Sequence, residues 1–262
     1  MNSTHASIQT NPAIGDRGLI DIYLPENAVS PRPFVLGIHG GGWRNGDRTS
    51  YQWMWPRLKP HGFSLVTCSY RLAPEHPFPA ACDDLLHLFS WLGENAGRYG
   101  LDSQRCVAVG GSAGGHMVML TGLKATAEGC RLGLRGLVDY CGIMDLASQS
   151  EFDEQRASPM TKDFLGGTPA EKAEACAAAS PLLQVHAACP PVWMAHGDSD
   201  GTVPVEQSRK MKAALEQAGV KVTYREAEGL AHTMTEPPAQ PDAAPVFLFE
   251  ESLLAFLRER LA

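Results

Sequence analysis

The chain has 262 residues, 44% hydrophobic and 19% charged, a length and composition that suit one globular α/β domain rather than two. Its formal charge of -7 and pI near 5.7 offer no basic patch, which argues against nucleic acid or an anionic membrane as the main partner. Met1 to Thr10 holds neither a basic region nor an apolar run, and no apolar stretch reaches membrane-spanning length, so a soluble cytoplasmic protein is expected.

In chain order, Leu19 to Leu24, Phe34 to His39 and Ser64 to Ser69 read as strands, apolar or β-branched and bounded by Pro, Gly and Asn. From Ala80 to about Ala96, Leu85, Leu88, Phe89 and Leu92 recur at helical spacing, with prolines ahead and Gly97 beyond. Arg105 to Gly110 is the next strand, and a helix follows from about Ser112 to Thr126. Leu137 to Cys141, Val192 to His196 and Val220 to Glu226 complete the strands, with helices near Glu206 to Gln217 and Phe247 to Arg260. Strands alternating with helices predict crossover connections and a mostly parallel sheet, with helices on both faces.

Two segments break the rhythm. Between about 145 and 190, turn residues, an Ala-rich helical piece (Ala170 to Ala179) and scattered apolar side chains predict a lid-like insertion over the top of the sheet, roofing the site. Glu236 to Pro245 is Pro-rich and reads as a loop. No repeat or second domain is visible, so residues 1–262 are read as one domain.

Seven cysteines, odd in number and without CxxC spacing, predict buried reduced thiols. The nine histidines show no HExxH pattern or close pair on one helical face, so no metal and no cofactor are expected.

In open parallel sheets ligands bind at the carboxyl ends of the strands. Val107 to Gly115 places Ser112 between Gly110 and Gly114, where an apolar strand gives way to a helix. That is the pattern of a nucleophile elbow, whose tight turn needs small residues two before and two after the serine. Alone it reads equally well as a Gly-rich turn. A second strand end carries His39-Gly40-Gly41-Gly42-Trp43, whose uncovered amides suit a developing oxyanion better than a phosphate, since no GxGxxG or GxxxxGK[ST] spacing is present. A third carries His196-Gly197-Asp198-Ser199-Asp200, and a fourth His232. The order serine, acid, histidine is the one α/β-hydrolases use. Spacing leaves the acid open between Asp198 and Asp200.

HGGGW and GGSAGG, with Tyr70 to Ala81 between them, resemble the α/β-hydrolase carboxylesterases related to hormone-sensitive lipase, and the likeness spans nearly the whole chain. Within that group the chain is similar to the bacterial feruloyl and acetyl xylan esterase type. The resemblance implies an α/β-hydrolase fold with Ser112 as nucleophile, Asp200 as acid and His232 as base. It also implies an oxyanion hole from the amides of Gly41, Gly42 and Ala113, with Trp43 able to replace one glycine. The helical cap that such esterases carry ahead of the first strand has little counterpart in the residues before Leu19.

The chemistry so implied is serine carboxylesterase action on short-chain or aryl esters, acetyl or feruloyl esters of sugars among them, through an acyl-enzyme. An arylformamidase-type amide hydrolase and a non-catalytic ligand receptor on the same fold are the alternatives. Partners are confined to a small-molecule ester, with homo-oligomerisation left open. Trp43 and Phe164 are candidate substrate contacts, Trp43 equally a core residue. Met117, Met119 and His116 read as structural, and Arg71, Glu75 and Asp84 as an ion-paired network.

Overall fold

The computed structural model describes residues 4–26, 31–237 and 243–262. Eight strands form one sheet: β1 (Thr4–Gln9), β2 (Leu19–Leu24), β3 (Arg32–Ile38), β4 (Ser64–Cys68), β5 (Leu101–Gly111), β6 (Leu134–Tyr140), β7 (Val192–Gly197) and β8 (Val222–Ala227). They lie in the order β1-β2-β4-β3-β5-β6-β7-β8. β1 and β2, and β2 and β4, pair antiparallel, and from β4 onward every pairing is parallel. The centre reads as continuous apolar runs because both of its faces are covered. Val35, Leu36, Val107 and Ala108 are fully buried.

The helices are α1 (Trp55–Leu58), α2 (Ala80–Asn95), α3 (Ala113–Ala127), α4 (Leu146–Gln155), α5 (Met160–Leu165), α6 (Ala173–Ala179), α7 (Glu206–Gln217) and α8 (Glu250–Leu261). Leu85, Leu88, Phe89 and Leu92 of α2 join the α3 side chains and Met211 and Leu215 of α7 in the core on one face. On the other face, Tyr51, Met54 and Leu58 pack with Leu253, Leu254 and Leu257 of α8. No helix among the described residues is long and apolar enough to cross a membrane.

Three features depart from the sequence expectation. β1 was not anticipated: as an edge strand against β2 it leaves His5, Ser7 and Gln9 exposed, and Ile8 is its one large apolar residue, too weak an alternation to read. The insertion holds α4 and α5 besides the Ala-rich α6. α4 is polar in sequence, and its start is fixed by the Asp145 carboxylate accepting from the Ala147 and Ser148 amides. The last helix begins at Glu250 rather than Phe247, because Phe247 bridges Thr235 and Phe249 takes a left-handed conformation at φ 56°. The predicted loop at Glu236 to Pro245 lies partly outside the described residues. The seven cysteines are free thiols, all buried except the half-buried Cys130.

Candidate active site

Ser112 sits between β5 and α3 with φ 58° and ψ -128°, a conformation that L-residues avoid and that surrounding contacts must hold. Its amide donates to Tyr140 O at 2.8 Å, and its carbonyl accepts from the His116 amide at 2.9 Å. The flanking glycines are sterically obligatory. A Cβ on Gly110 would lie 2.3 Å from Gly114 O, one on Gly114 2.1 Å from Ile38 O, and one on Gly40 2.7 Å from Gly111 O. The close seating of the glycine loop on the elbow therefore depends on missing side chains at three positions.

Gly41 and Gly42 have φ 100° and 59°. The Gly41 carbonyl turns back to accept from the Arg44 and Asn45 amides, both at 3.1 Å. Both glycines line a cavity of about 580 Å³ that Ser112, Tyr51, Cys141 and His232 also border. Ala113, first residue of α3, is buried, and its amide belongs to the helix-starting set that has no partner within the helix.

His232 lies on the loop after β8. Its Nδ1 is 2.6 Å from Asp200 Oδ2. The same oxygen is 3.1 Å from His196 Nε2, while Asp200 Oδ1 accepts from the Thr202 and Val203 amides at 2.7 and 2.9 Å. Burial pushes this carboxyl up, but the hydrogen bonds from His196 and His232 outweigh it and hold the group well below the usual carboxylate range. Asp198, the other acid in the run, accepts from the Gly229 amide at 2.7 Å instead, and so anchors the loop that leads to His232. Of the two acids, Asp200 is the one that meets His232.

His196 is a residue that sequence reasoning passed over as the end of a strand. It is fully buried, and Nε2 faces both Asp200 and Val203 O, the latter at 3.0 Å. Two acceptors on Nε2 make it the protonated nitrogen, which leaves Nδ1 to accept from Ser208 Oγ at 2.7 Å. Tyr51 is the second omission: its hydroxyl accepts from the Gly111 amide at 2.9 Å and donates to the Met234 sulfur at 3.0 Å. A tyrosine remote in sequence, in a short helical turn at Arg48–Met54, gives no sequence signal for such a contact.

Two expected substrate contacts do not reach the cavity. Trp43 and Phe164 are 0% and 1% exposed and stack on each other with ring centroids 4.2 Å apart. The Trp43 indole donates to His116 Nδ1 at 3.0 Å, and His116 Nε2 lies 2.8 Å from Ala179 O. An aromatic block thus supports the glycine loop from below, and His116, pushed down to about 4 by burial, is a satisfied neutral histidine. Of the insertion, Met160 reaches the cavity; the walls come mainly from residues 40–51 and 232–234. The expected network at Arg71 reduces to its pair with Asp84, while Glu75 is exposed.

The Cys141 thiol, Asp200 and His232 have donor atoms within 4.8 Å of one another. Two ligands of one zinc ion stand about 3.3 Å apart, and the 2.6 Å Asp200–His232 contact is a hydrogen bond instead. Burial, together with Asp139 and Asp200, pushes the Cys141 thiol well up, so it is protonated.

A parallel sheet with a serine elbow after its central strand, and an acid and a histidine on later loops, defines an α/β-hydrolase. Residues 20–215 match the BD-FAE family model, and the chain belongs to that family. It is 30% identical over 229 residues to esterase LipQ of Mycobacterium tuberculosis, covering 83% of this chain and 54% of LipQ. The chain spans about half the length of the first curated relatives it matches. The structure of esterase LipW from Mycobacterium marinum superposes with a TM-score of 0.72 at 26% identity, over 88% of this chain and 74% of LipW. A truncated carbohydrate esterase from gut microbiota shares the fold at a TM-score of 0.81 and 21% identity, over 97% of this chain and 96% of that one.

Proposed function

We propose that this protein is a serine carboxylesterase acting on short-chain or aryl carboxylic esters through an acyl-enzyme. The observation that carries the reading is one cavity onto which Ser112, His232 and the glycine loop all open, with His232 held by Asp200 at 2.6 Å. Family membership and relatives named as esterases support the same chemistry.

In this reading His232 takes the Ser112 proton as the serine oxygen attacks the ester carbonyl. Asp200 fixes the imidazole with Nδ1 protonated and stabilises the imidazolium that forms. The amides of Gly41, Gly42 and Ala113 receive the oxyanion, each such donor typically contributing about 10²- to 10³-fold in rate. His232 returns the proton to the departing alcohol and then activates the water that releases the acid. A cavity of about 580 Å³, walled by thioethers and a tyrosine, suits a compact ester, acetyl or feruloyl esters of sugars included.

Ser112→Ala should fold normally yet lose about 10⁴-fold or more in kcat on p-nitrophenyl acetate, along with covalent labelling by a fluorophosphonate. Wild-type protein that takes no label would instead point to a ligand-binding role, and turnover that survives the substitution would remove Ser112 from the mechanism.

A further inference from the structure

Two methionines differ from the rest among the described residues. Met54, Met117, Met119, Met144, Met194 and Met211 are all fully buried. Met160 and Met234 are partly exposed, and both line the cavity that holds Ser112. The Met160 sulfur lies 3.0 Å from where a Cβ on Gly42 would stand, and the Met234 sulfur 2.5 Å from the same position on Gly111. One thioether therefore packs against the glycine loop and the other against the residue before the serine. The Tyr51 hydroxyl ties the Met234 sulfur to the Gly111 amide.

Cysteine, the usual competitor for oxidants, is shielded: even Cys141, which borders the same cavity, is only 1% exposed. Cys68, Cys82, Cys106, Cys141, Cys176 and Cys189 are buried, and burial pushes each thiol up, to about 11 for Cys82 and about 12 for Cys68 and Cys189. A peroxide reacts with thiolates, and these groups hold their protons. The half-buried Cys130 follows α3, whose 15 residues put it about 20 Å from the elbow at 1.5 Å per residue.

We propose that Met160 and Met234 form a peroxide-sensitive modification site, and that their conversion to methionine sulfoxide reversibly shuts down hydrolysis in the cleft. In each reaction a sulfur lone pair attacks one peroxide oxygen. The S–O bond forms as the O–O bond breaks, the sulfur is oxidised by two electrons, and the second oxygen leaves as water. The sulfurs lie beside the Gly42 and Gly111 backbones and both side chains line the cavity, which is the open space for the new oxygen to enter. There its negative end would oppose the charge that develops on the ester carbonyl oxygen. The loss of activity rests on the serine-esterase reading; the location of the modification does not.

The test exposes the intact protein to rising hydrogen peroxide, maps oxidation by peptide mass spectrometry and follows p-nitrophenyl acetate hydrolysis. Methionine sulfoxide reductases A and B are then added. Sulfoxide should appear at Met160 and Met234 before any other methionine or cysteine among the described residues is oxidised, activity should fall about tenfold or more in step, and the reductases should restore it. The double variant Met160→Leu/Met234→Leu, measured against its own untreated rate, should lose less than about twofold at the same dose. Earlier oxidation of Cys130 or of a buried methionine, full oxidation at both sites with activity retained, or equal inactivation of the double variant would each overturn the proposal. Untreated protein with neither turnover nor fluorophosphonate labelling would sink the esterase reading and the shut-off with it, and the mass map would still decide the sites.

Discussion

Asp200 fills every acceptor position a carboxylate has: two backbone amides on Oδ1, two imidazoles on Oδ2. Such a group is fixed in place and kept ionised, which is what the proposed role of orienting His232 requires. Asp200→Asn should therefore lower kcat by about 10⁴-fold while leaving the fold intact, because the amide no longer enforces the imidazole tautomer. Asp198→Asn, which touches only the loop approach, should cost less than about tenfold; equal losses on a p-nitrophenyl acetate assay would reverse the assignment of the acid. Residues of this kind were partly legible in the chain. The run from His196 to Asp200 marked the acid, but two aspartates two residues apart are told apart by which one meets a histidine on another loop. Trp43 was left open between pocket and core, and Phe164 misread, for a related reason: an aromatic near a glycine loop stacks inward or outward according to its neighbours, and here they are each other and His116.

The β5–Ser112–α3 element was readable because its constraint is local. A strand that turns into a helix around one strained residue needs glycines at set offsets, and the sequence displays them. The packing that those glycines allow extends further than the motif, since Gly114 also makes room for the end of β3. Gly114→Ala would drive a Cβ to 2.1 Å from Ile38 O, a backbone atom that cannot swing aside. It should cost about 2–3 kcal/mol of stability, seen as a melting temperature lower by about 5–10 °C. An unchanged melting curve would show that elbow and glycine loop are not so tightly seated. Elements whose apolar signal is weak escaped: β1, half exposed at the sheet edge, and α4, which is set by a capping aspartate rather than by an apolar stripe.

Across the whole molecule, the sheet separates two apolar layers, and the one carboxyl buried beneath the elbow without a cationic partner is Asp139 among the described residues. It is fully buried on β6, its oxygens meet no donor at hydrogen-bonding geometry, and Gly115 and Gly142 leave it space. Burial pushes it well above the usual carboxylate range, against a smaller pull downward from the Gly142 amide. The folded state thus keeps a proton that the unfolded chain releases above about pH 4. As pH rises past that point the wild type should lose about 1.4 kcal/mol per unit from this group until its raised folded-state value is reached. Asp139→Asn should remove that slope, so that its melting temperature gains on the wild type from pH 4 upward and not below. Parallel pH dependences for the two proteins would show that Asp139 is ionised in the folded state.

The sequence by itself determined the order of strands β2 to β8 and of helices α2, α3, α6, α7 and α8, the glycine-flanked serine, the glycine loop and the serine–acid–histidine order, because each follows from steric or periodic demands within a few residues. Only the tertiary structure decided that Asp200 rather than Asp198 meets His232, that Trp43 and Phe164 face inward, that the cavity walls come mostly from residues 40–51 and 232–234, and that two methionines out of the described set open on the serine. Those outcomes depend on distances and solvent exclusion set jointly by segments far apart in the chain, which no local pattern records.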